Sequence, residues 1–292
     1  MPATARVCCR EILSGDLDAL LTLLHRGFPE RSRENLALSL ERLTERSAPA
    51  GYPKYGYVVE ANERLVGVIL LIYSSTVAGG LATVRCNVAS WYVEPEYRGY
   101  ASLLVSRALA RKDVTFLNLS PAPHTWPILD AHGFKQWCSG LFAAIPALTV
   151  GGSGARVVRF SEAVQPGDGL SQDDIRLLRD HESYGCIGVI CDDGTKRHPF
   201  VFGPRRWIKW KSVALPFSLL AYSRSVDDFV RFAGPLGRFL MARGVPLVFI
   251  DASERIPGLA GKFLDWGPKF VRGPNPPPLC DIAYTERVMF NL

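Results

Sequence analysis

The chain has 292 residues, 48% hydrophobic and 21% charged, which is enough apolar content to bury a core in each of two domains and too much for a disordered chain. Thirty-four Lys and Arg against 28 Asp and Glu leave a formal charge of +6. That balance favours anionic partners such as a phosphorylated cofactor or an acidic metabolite, and is too mild and dispersed to argue for nucleic acid alone.

No run of about 18 apolar residues is present and the N-terminus opens without an apolar signal core, so no membrane span is expected and the cytoplasm is the expected location. The seven cysteines, an odd number without Cys-x-x-Cys spacing, fit neither a disulfide framework nor a zinc site. Free thiols packed as small hydrophobes are expected, with no metal.

Arg6 to Ile12 reads as a short strand. Leu17, Leu20, Leu21, Leu24 and Phe28 then fall on one face of a helix, with Ser14 and Asp16 as caps. A second helix turns Leu36, Leu40 and Leu43 inward, and Tyr55 to Ile72 holds two strands around a polar turn at Ala61 to Arg64. A strand from about Val84 to Val93 ends at Glu94-Pro95-Glu96, and a helix is expected from about Arg98 to Ala110. The strand Val114 to Ser120, a polar loop and a short helix closing at Gly133-Phe134 follow. Strand, helix and strand at the end of this series predict a parallel crossover joined to an otherwise antiparallel sheet.

Gly151-Gly152-Ser153-Gly154 is the best linker candidate and divides the chain into domains at 1–150 and 155–292. Beyond it the order starts again. Arg156 to Phe160 reads as a strand, Ser171 and Asp174 open a helix through Leu178, and Tyr184 to Ile190 is a strand. The stretch Arg205 to Lys211 alternates basic and apolar residues, as a strand with one wet face does. Val226, Phe229, Val230, Ala233, Gly237 and Leu240 share a helical face, on which Gly234-Pro235-Leu236-Gly237 predicts a kink, before the strand Val245 to Asp251. After the stiff Gly273-to-Pro278 loop a last strand is expected over Asp281 to Phe290. Arg107 to Ser120 and Arg238 to Asp251 share one grammar: amphipathic helix, tight basic turn, apolar strand, polar end. The fold class is therefore α/β, in the form of mixed α+β sheets, with two similar domains in tandem.

The segment Trp91-Tyr92-Val93-Glu94-Pro95-Glu96-Tyr97-Arg98-Gly99-Tyr100-Ala101-Ser102-Leu103-Leu104 carries the chemistry. A strand ends, a turn follows, and a helix begins with small residues at its mouth. Free backbone N–H groups and the positive end of the helix dipole suit a pyrophosphate there. Gly99, Ala101 and Ser102 keep bulk away from it, and Arg98 adds a charge.

This segment resembles the acetyl-CoA motif of the GNAT acyl-CoA N-acyltransferase family: Val93, Pro95, Tyr97, Arg98 and Gly99 match its usual lead-in. The resemblance covers about Arg6 to Leu148. It implies acetyl-CoA or another acyl-CoA as co-substrate, held by Tyr92, Val93, Arg98, Gly99, Tyr100, Ala101 and Ser102. It further implies direct attack of an amine, on a small metabolite or a peptide, on the thioester. The backbone N–H near Val93 is the family's usual partner for the carbonyl. Asn118, Ser120 and His124, at or just past the carboxyl end of the last strand, are the catalytic candidates. The sequence departs from the pattern at Leu103, where a second small residue is usual, and at Leu129, where a Tyr is frequent.

The second half has no such loop: Asp227 and Asp228 stand where phosphates would approach. Asp251, Ser253 and Glu254, which close its apolar strand, read as a solvated loop or as a substrate-facing group. Two other readings stay open. One is a non-catalytic acyl-CoA-binding or regulatory module. The other is an aminoacyl-tRNA-dependent transferase whose Arg205-to-Lys211 stripe contacts phosphates.

Overall fold

A computed structural model describes residues 7–78, 81–150, 154–163, 169–210 and 212–290; the Gly151–Ser153 part of the expected linker lies outside them. The first half contains β1 (Val7–Glu11), α1 (Leu17–Gly27), α2 (Arg33–Glu45), β2 (Gly56–Ala61), β3 (Arg64–Ala78) and β4 (Leu81–Val93). It continues through α3 (Ala101–Ala108), β5 (Thr115–Asn118), α4 (Trp126–Ala131), β6 (Lys135–Cys138) and β7 (Gly140–Ala144). The second half contains β8 (Arg156–Arg159), α5 (Phe160–Ala163), α6 (Gln172–Ser183), β9 (Ile187–Asp192), β10 (Arg197–Phe202), β11 (Arg206–Trp210) and β12 (Val213–Tyr222). It ends with α7 (Val226–Met241), β13 (Leu247–Ala252), β14 (Gly261–Leu264), β15 (Lys269–Arg272) and α8 (Glu286–Met289). No helix among the described residues is long and apolar enough to cross a membrane.

Local chemistry explains the boundaries. Ser32 caps α2 by accepting the Asn35 N–H at 3.2 Å, and Ser171 with Asp174 forms the expected capping box on α6. The helix α7 is uninterrupted through Pro235. At Gly237 a Cβ would lie 2.1 Å from the Ala147 backbone nitrogen, so glycine lets this helix seat on the turn after β7. Cys86, Cys138, Cys186, Cys191 and Cys280 are buried free thiols.

The strands form two mixed sheets in the orders β1-β2-β3-β4-β5-β15-β6 and β14-β7-β13-β12-β10-β9-β8, with β11 hairpinned onto β12. In each, one crossover pair is parallel, β4 with β5 and β12 with β13, as the strand-helix-strand pattern predicts. The two orders correspond strand for strand, with one exchange. β15, from the second half, lies between β5 and β6; β7, from the first half, lies between β13 and β14. Each sheet therefore takes its sixth strand from the other half. A division at the Gly151–Gly154 segment cuts both sheets.

Helices α1 and α2 on one face of the first sheet and α6 on the second share one core, built from Leu20, Leu36, Leu40, Leu178 and Ile190. Ile282, Tyr284, Val288 and Phe290 are wedged into it. The last segment is thus not the strand that its apolar residues predict. Asp281 makes a single bridge to Tyr222, Tyr284 takes φ 57°, and Glu286–Met289 is one helical turn. At Tyr284 the left-handed backbone turns the chain, and its apolar side chains are buried individually. The separate cores on the opposite faces hold α3 and α4 in the first sheet and α7 in the second.

The basic stripe divides between two environments. Trp207 and Lys209 face outward, while Arg206 is turned inward and donates to the Arg287 carbonyl at 2.8 Å.

Candidate active site at the fork of the first sheet

β4 and β5 pair in parallel only at Arg85 with Thr115, Cys86 with Phe116 and Asn87 with Leu117; beyond that point β4 continues to Val93 without β5 beside it. The same stretch of β4 is bulged. Val68 opposes Tyr92 and Leu70 opposes Ala89, so Ser90 and Trp91 together face Ile69, and Ser90 takes φ 43°. A bulge re-aims side chains and bends its strand, which widens the fork.

At the outer end of the fork, Pro95–Tyr100 forms a 3-10 turn and α3 begins at Ala101, three residues later than the sequence predicts. Arg98 and Gly99 therefore lie in the turn. Arg98 is exposed and its side chain makes no ion pair or hydrogen bond among the described residues, and a Cβ on Gly99 would meet nothing within 4 Å. Tyr100, Ser102 and Leu103 are exposed beside them, and Ala101 is half-buried. Glu94 points inward, where it pairs with Arg26 and, at 2.7 Å, with Arg64. Burial alone would raise its pKa, but the hydrogen bond and charge of Arg64, with Arg26, overcome that and hold it below the usual glutamate range. Its charge is thereby compensated at the place where phosphates would come. Tyr92 packs its ring against Gly27, where a Cβ would lie 2.4 Å from the ring, and Val93 is buried in the α3-side core.

On the α3 side, the fork is a slit lined by Trp91, Val105, Asn118, Leu129, His132 and Phe134. Its volume of about 20 Å³ holds roughly one water. Leu129, at the family's frequent Tyr position, is buried here.

The opposite side is polar. Asn87, at the last paired position of β4, accepts the Glu286 N–H at 2.7 Å and donates to the Leu117 carbonyl at 3.2 Å. Ser120 donates to the Glu286 carboxylate at 2.5 Å. Glu286 is buried, and that burial raises its pKa above the ordinary glutamate value, against the opposing pull of Ser120, Arg287 and Arg31. Arg31, itself half-buried, reaches the Ser90 and Ser39 hydroxyls at 3.3 Å and lies 5.8 Å from the centre of the Phe290 ring.

The three catalytic candidates from the sequence do not come together. Asn118 lines the α3-side slit, Ser120 turns to Glu286, and His124 is exposed in the Pro123–Thr125 turn without a hydrogen bond or ion pair among the described residues. Glu286 was not singled out by sequence reasoning, because it arrives from the far end of the chain. The available signal was an acidic residue inside the apolar run Ile282 to Phe290, where charge is seldom buried without a purpose.

In the second sheet the equivalent fork, between β12 and β13, is closed by the chain itself. The Ser223 N–H donates to the Cys280 carbonyl at 2.9 Å and the Ile282 N–H to the Ala221 carbonyl at 3.0 Å. Ser225 caps α7 there by accepting the Asp228 N–H at 3.0 Å. Asp251, one of the polar residues ending β13, is not solvated; it is buried and ion-paired to Lys269 of β15.

No family model and no curated protein matches the sequence. Solved structures do. A GCN5-related N-acetyltransferase from Anabaena variabilis superposes with a TM-score of 0.61 at 11% identity, over 96% of this chain and 74% of that one. One from Kribbella flavida gives 0.55 at 17%, over 92% and 71%. Eis1 from Mycobacterium abscessus gives 0.53 at 13%, over 91% and 73%. The chain thus has the GCN5-related N-acetyltransferase fold, as two such units in tandem.

Proposed function

We propose that the chain is an acyl-CoA-dependent N-acyltransferase, with acetyl the expected acyl group and an amine of a small metabolite or peptide as acceptor. The observation that carries this reading is the buried Glu286 at the point where β4 and β5 separate: its carboxylate accepts from the Ser120 hydroxyl and its backbone N–H donates to Asn87. Arg98, Gly99 and the start of α3 receive the pyrophosphate, with Tyr100, Ala101 and Ser102 beside it. The bulged stretch of β4 from Ser90 to Val93 receives the thioester arm.

An amine arrives protonated at neutral pH and cannot attack until it loses a proton. Glu286 takes that proton, and its raised pKa makes it a better base than an exposed carboxylate. Ser120 holds the carboxylate in register. The neutral amine attacks the thioester carbonyl, the carbon–sulfur bond breaks, and the departing thiolate takes up the proton that the nitrogen sheds as the amide forms. Asn118 and His124 play no part in this proton transfer.

A second reading, a module that binds acyl-CoA without turnover, is favoured by one observation: the α3-side slit, lined by Trp91, Leu129 and Phe134, has room for only about one water. In the catalytic reading the α4 segment must swing outward to admit the acyl arm.

Calorimetry with acetyl-CoA and longer acyl-CoAs tests both readings, on wild type, Arg98→Ala and Ala101→Glu, followed by thiol release with an amine panel. Saturable binding weakened about tenfold or more by each change, with turnover, is the expected result. Binding without turnover selects the second reading. If no acyl-CoA binds, both are wrong.

A further inference from the structure

Next to Ser120, between the two sheets, lies a second cavity of about 410 Å³. It adjoins the polar side of the first sheet's fork through Ser120. Its walls include Phe217, Phe249 and Trp266 from the second half, and its polar lining includes Ser120, Lys269 and Arg287. Phe217 and Phe249 stack with centroids 4.6 Å apart at 25°, and Trp266 meets Phe249 edge-on at 5.9 Å. Three rings held against one another are a rigid apolar wall that another flat ring can join at low entropic cost.

The charges here are unequal. Lys269 is committed to Asp251, and both are buried. Arg287 is different. Its Nε is buried without a partner, and no hydrogen bond or ion pair holds its side chain among the described residues. A half-buried guanidinium beside an aromatic wall is a binding group for a planar anion, with a fork geometry that matches a carboxylate. Arg287 also follows Glu286 directly on α8, so the residue that would bind the anion adjoins the proposed base.

From this juxtaposition we propose that the inter-sheet cavity is the acceptor site, and that it takes an amine bearing both an aromatic ring and a carboxylate: a free aromatic amino acid. The ring lies against Phe217, Phe249 and Trp266. The carboxylate pairs with Arg287, and the amine points past Ser120 to Glu286. The role of the amine rests on the acyltransferase reading; the recognition of ring and carboxylate does not. This also gives the second half a function although its own fork is closed: it supplies most of the aromatic wall.

The test is calorimetric titration of the full chain with L-phenylalanine, L-phenylalanine amide and L-alanine, using wild type, Arg287→Gln, Arg287→Lys and Trp266→Ala. Trp266 is 55% exposed, so its replacement leaves the core intact. L-Phenylalanine is expected to bind at least tenfold more tightly than its amide or than alanine. Arg287→Gln should remove the preference over the amide, Arg287→Lys should restore part of it, and Trp266→Ala should weaken phenylalanine severalfold. Equal binding of acid and amide by wild type overturns the proposal, as does a preference that survives Arg287→Gln. Acetyl-CoA binding with no phenylalanine binding overturns it while sparing the transferase. Phenylalanine binding without any acyl-CoA binding supports this site and removes the transferase reading.

Discussion

The Glu286 carboxylate and the Ser120 hydroxyl, 166 positions apart in the chain, meet at 2.5 Å where the first sheet divides. Replacing Glu286 with Gln keeps the shape and the hydrogen-bonding oxygen but removes the base. Loss of a positioned general base costs on the order of 10²–10⁴ in rate. Glu286→Gln is therefore expected to lower kcat by at least about 100-fold while leaving acetyl-CoA affinity within about twofold. The wild-type rate should rise with pH through a pKa above that of an ordinary glutamate, and this acid limb should vanish in the variant. An unchanged limb would assign the proton transfer to another group.

Asn87 joins the two strands and the C-terminal segment at one point, accepting from Glu286 and donating to Leu117. Asn87→Ala would strand a buried N–H and a buried carbonyl, each costing about 1–3 kcal/mol. Chemical denaturation should show a loss of about 2–6 kcal/mol. The KM for the acceptor should rise more than that for acyl-CoA, because Glu286 loses its anchor. A stability loss with both KM values unchanged would make Asn87 a purely structural residue.

Much of this architecture was legible beforehand, for reasons that differ between elements. The α1 stripe, the Ser171–Asp174 capping box and the parallel crossover follow from short-range periodicity and capping, which sequence records directly. The Val93-to-Gly99 motif was legible in another way, through its resemblance to the GNAT family's acetyl-CoA motif. The C-terminal segment did not reveal itself, because Ile282, Tyr284, Val288 and Phe290 are apolar for reasons of packing between sheets, not of strand alternation. The exchange of β7 and β15 was equally hidden, since either strand has the composition to sit in either sheet. Glu286 and Arg287 acquire their positions only through that long-range arrangement. His124, singled out for its chemistry just past the strand end, is turned to solvent, a placement that local sequence does not record.

His181 ties the same segment to α6. Its Nδ1 donates to the Leu177 carbonyl at 2.7 Å and its Nε2 accepts the Tyr284 N–H at 3.1 Å, so the buried ring is neutral. Burial pulls its pKa down to about 4. Because the folded value lies below the unfolded one, near 6.5, the unfolded chain binds the extra proton first as pH falls. The contribution is complete above about pH 6.5 and is lost progressively as pH drops toward 4, by roughly 3 kcal/mol in all. Melting curves from pH 7.5 to 4.5 should show this decline in wild type and a shallower one in His181→Asn. Parallel curves would mean that another group governs the acid sensitivity.

The reciprocal exchange of β7 and β15 makes a prediction about folding units. Residues 1–150 alone retain β5 and β6 but lack the strand between them, and leave β7 with no sheet to join. Two unpaired inner edges and an apolar strand exposed to water favour aggregation over independent folding. The complementary fragment has the same defect, since β13 and β14 lose the strand that separates them. Expressed separately, each fragment is expected to be insoluble or to lack a cooperative transition. Expressed together from a chain cut within 151–154, the two should co-purify as a one-to-one complex that unfolds in a single step. Each supplies the other's sixth strand, and the connection between them contributes only loop-closure entropy. If residues 1–150 instead behave as a stable monomer with cooperative unfolding, each half can close its own sheet with its own last strand, and the exchange is an optional arrangement of two independent domains.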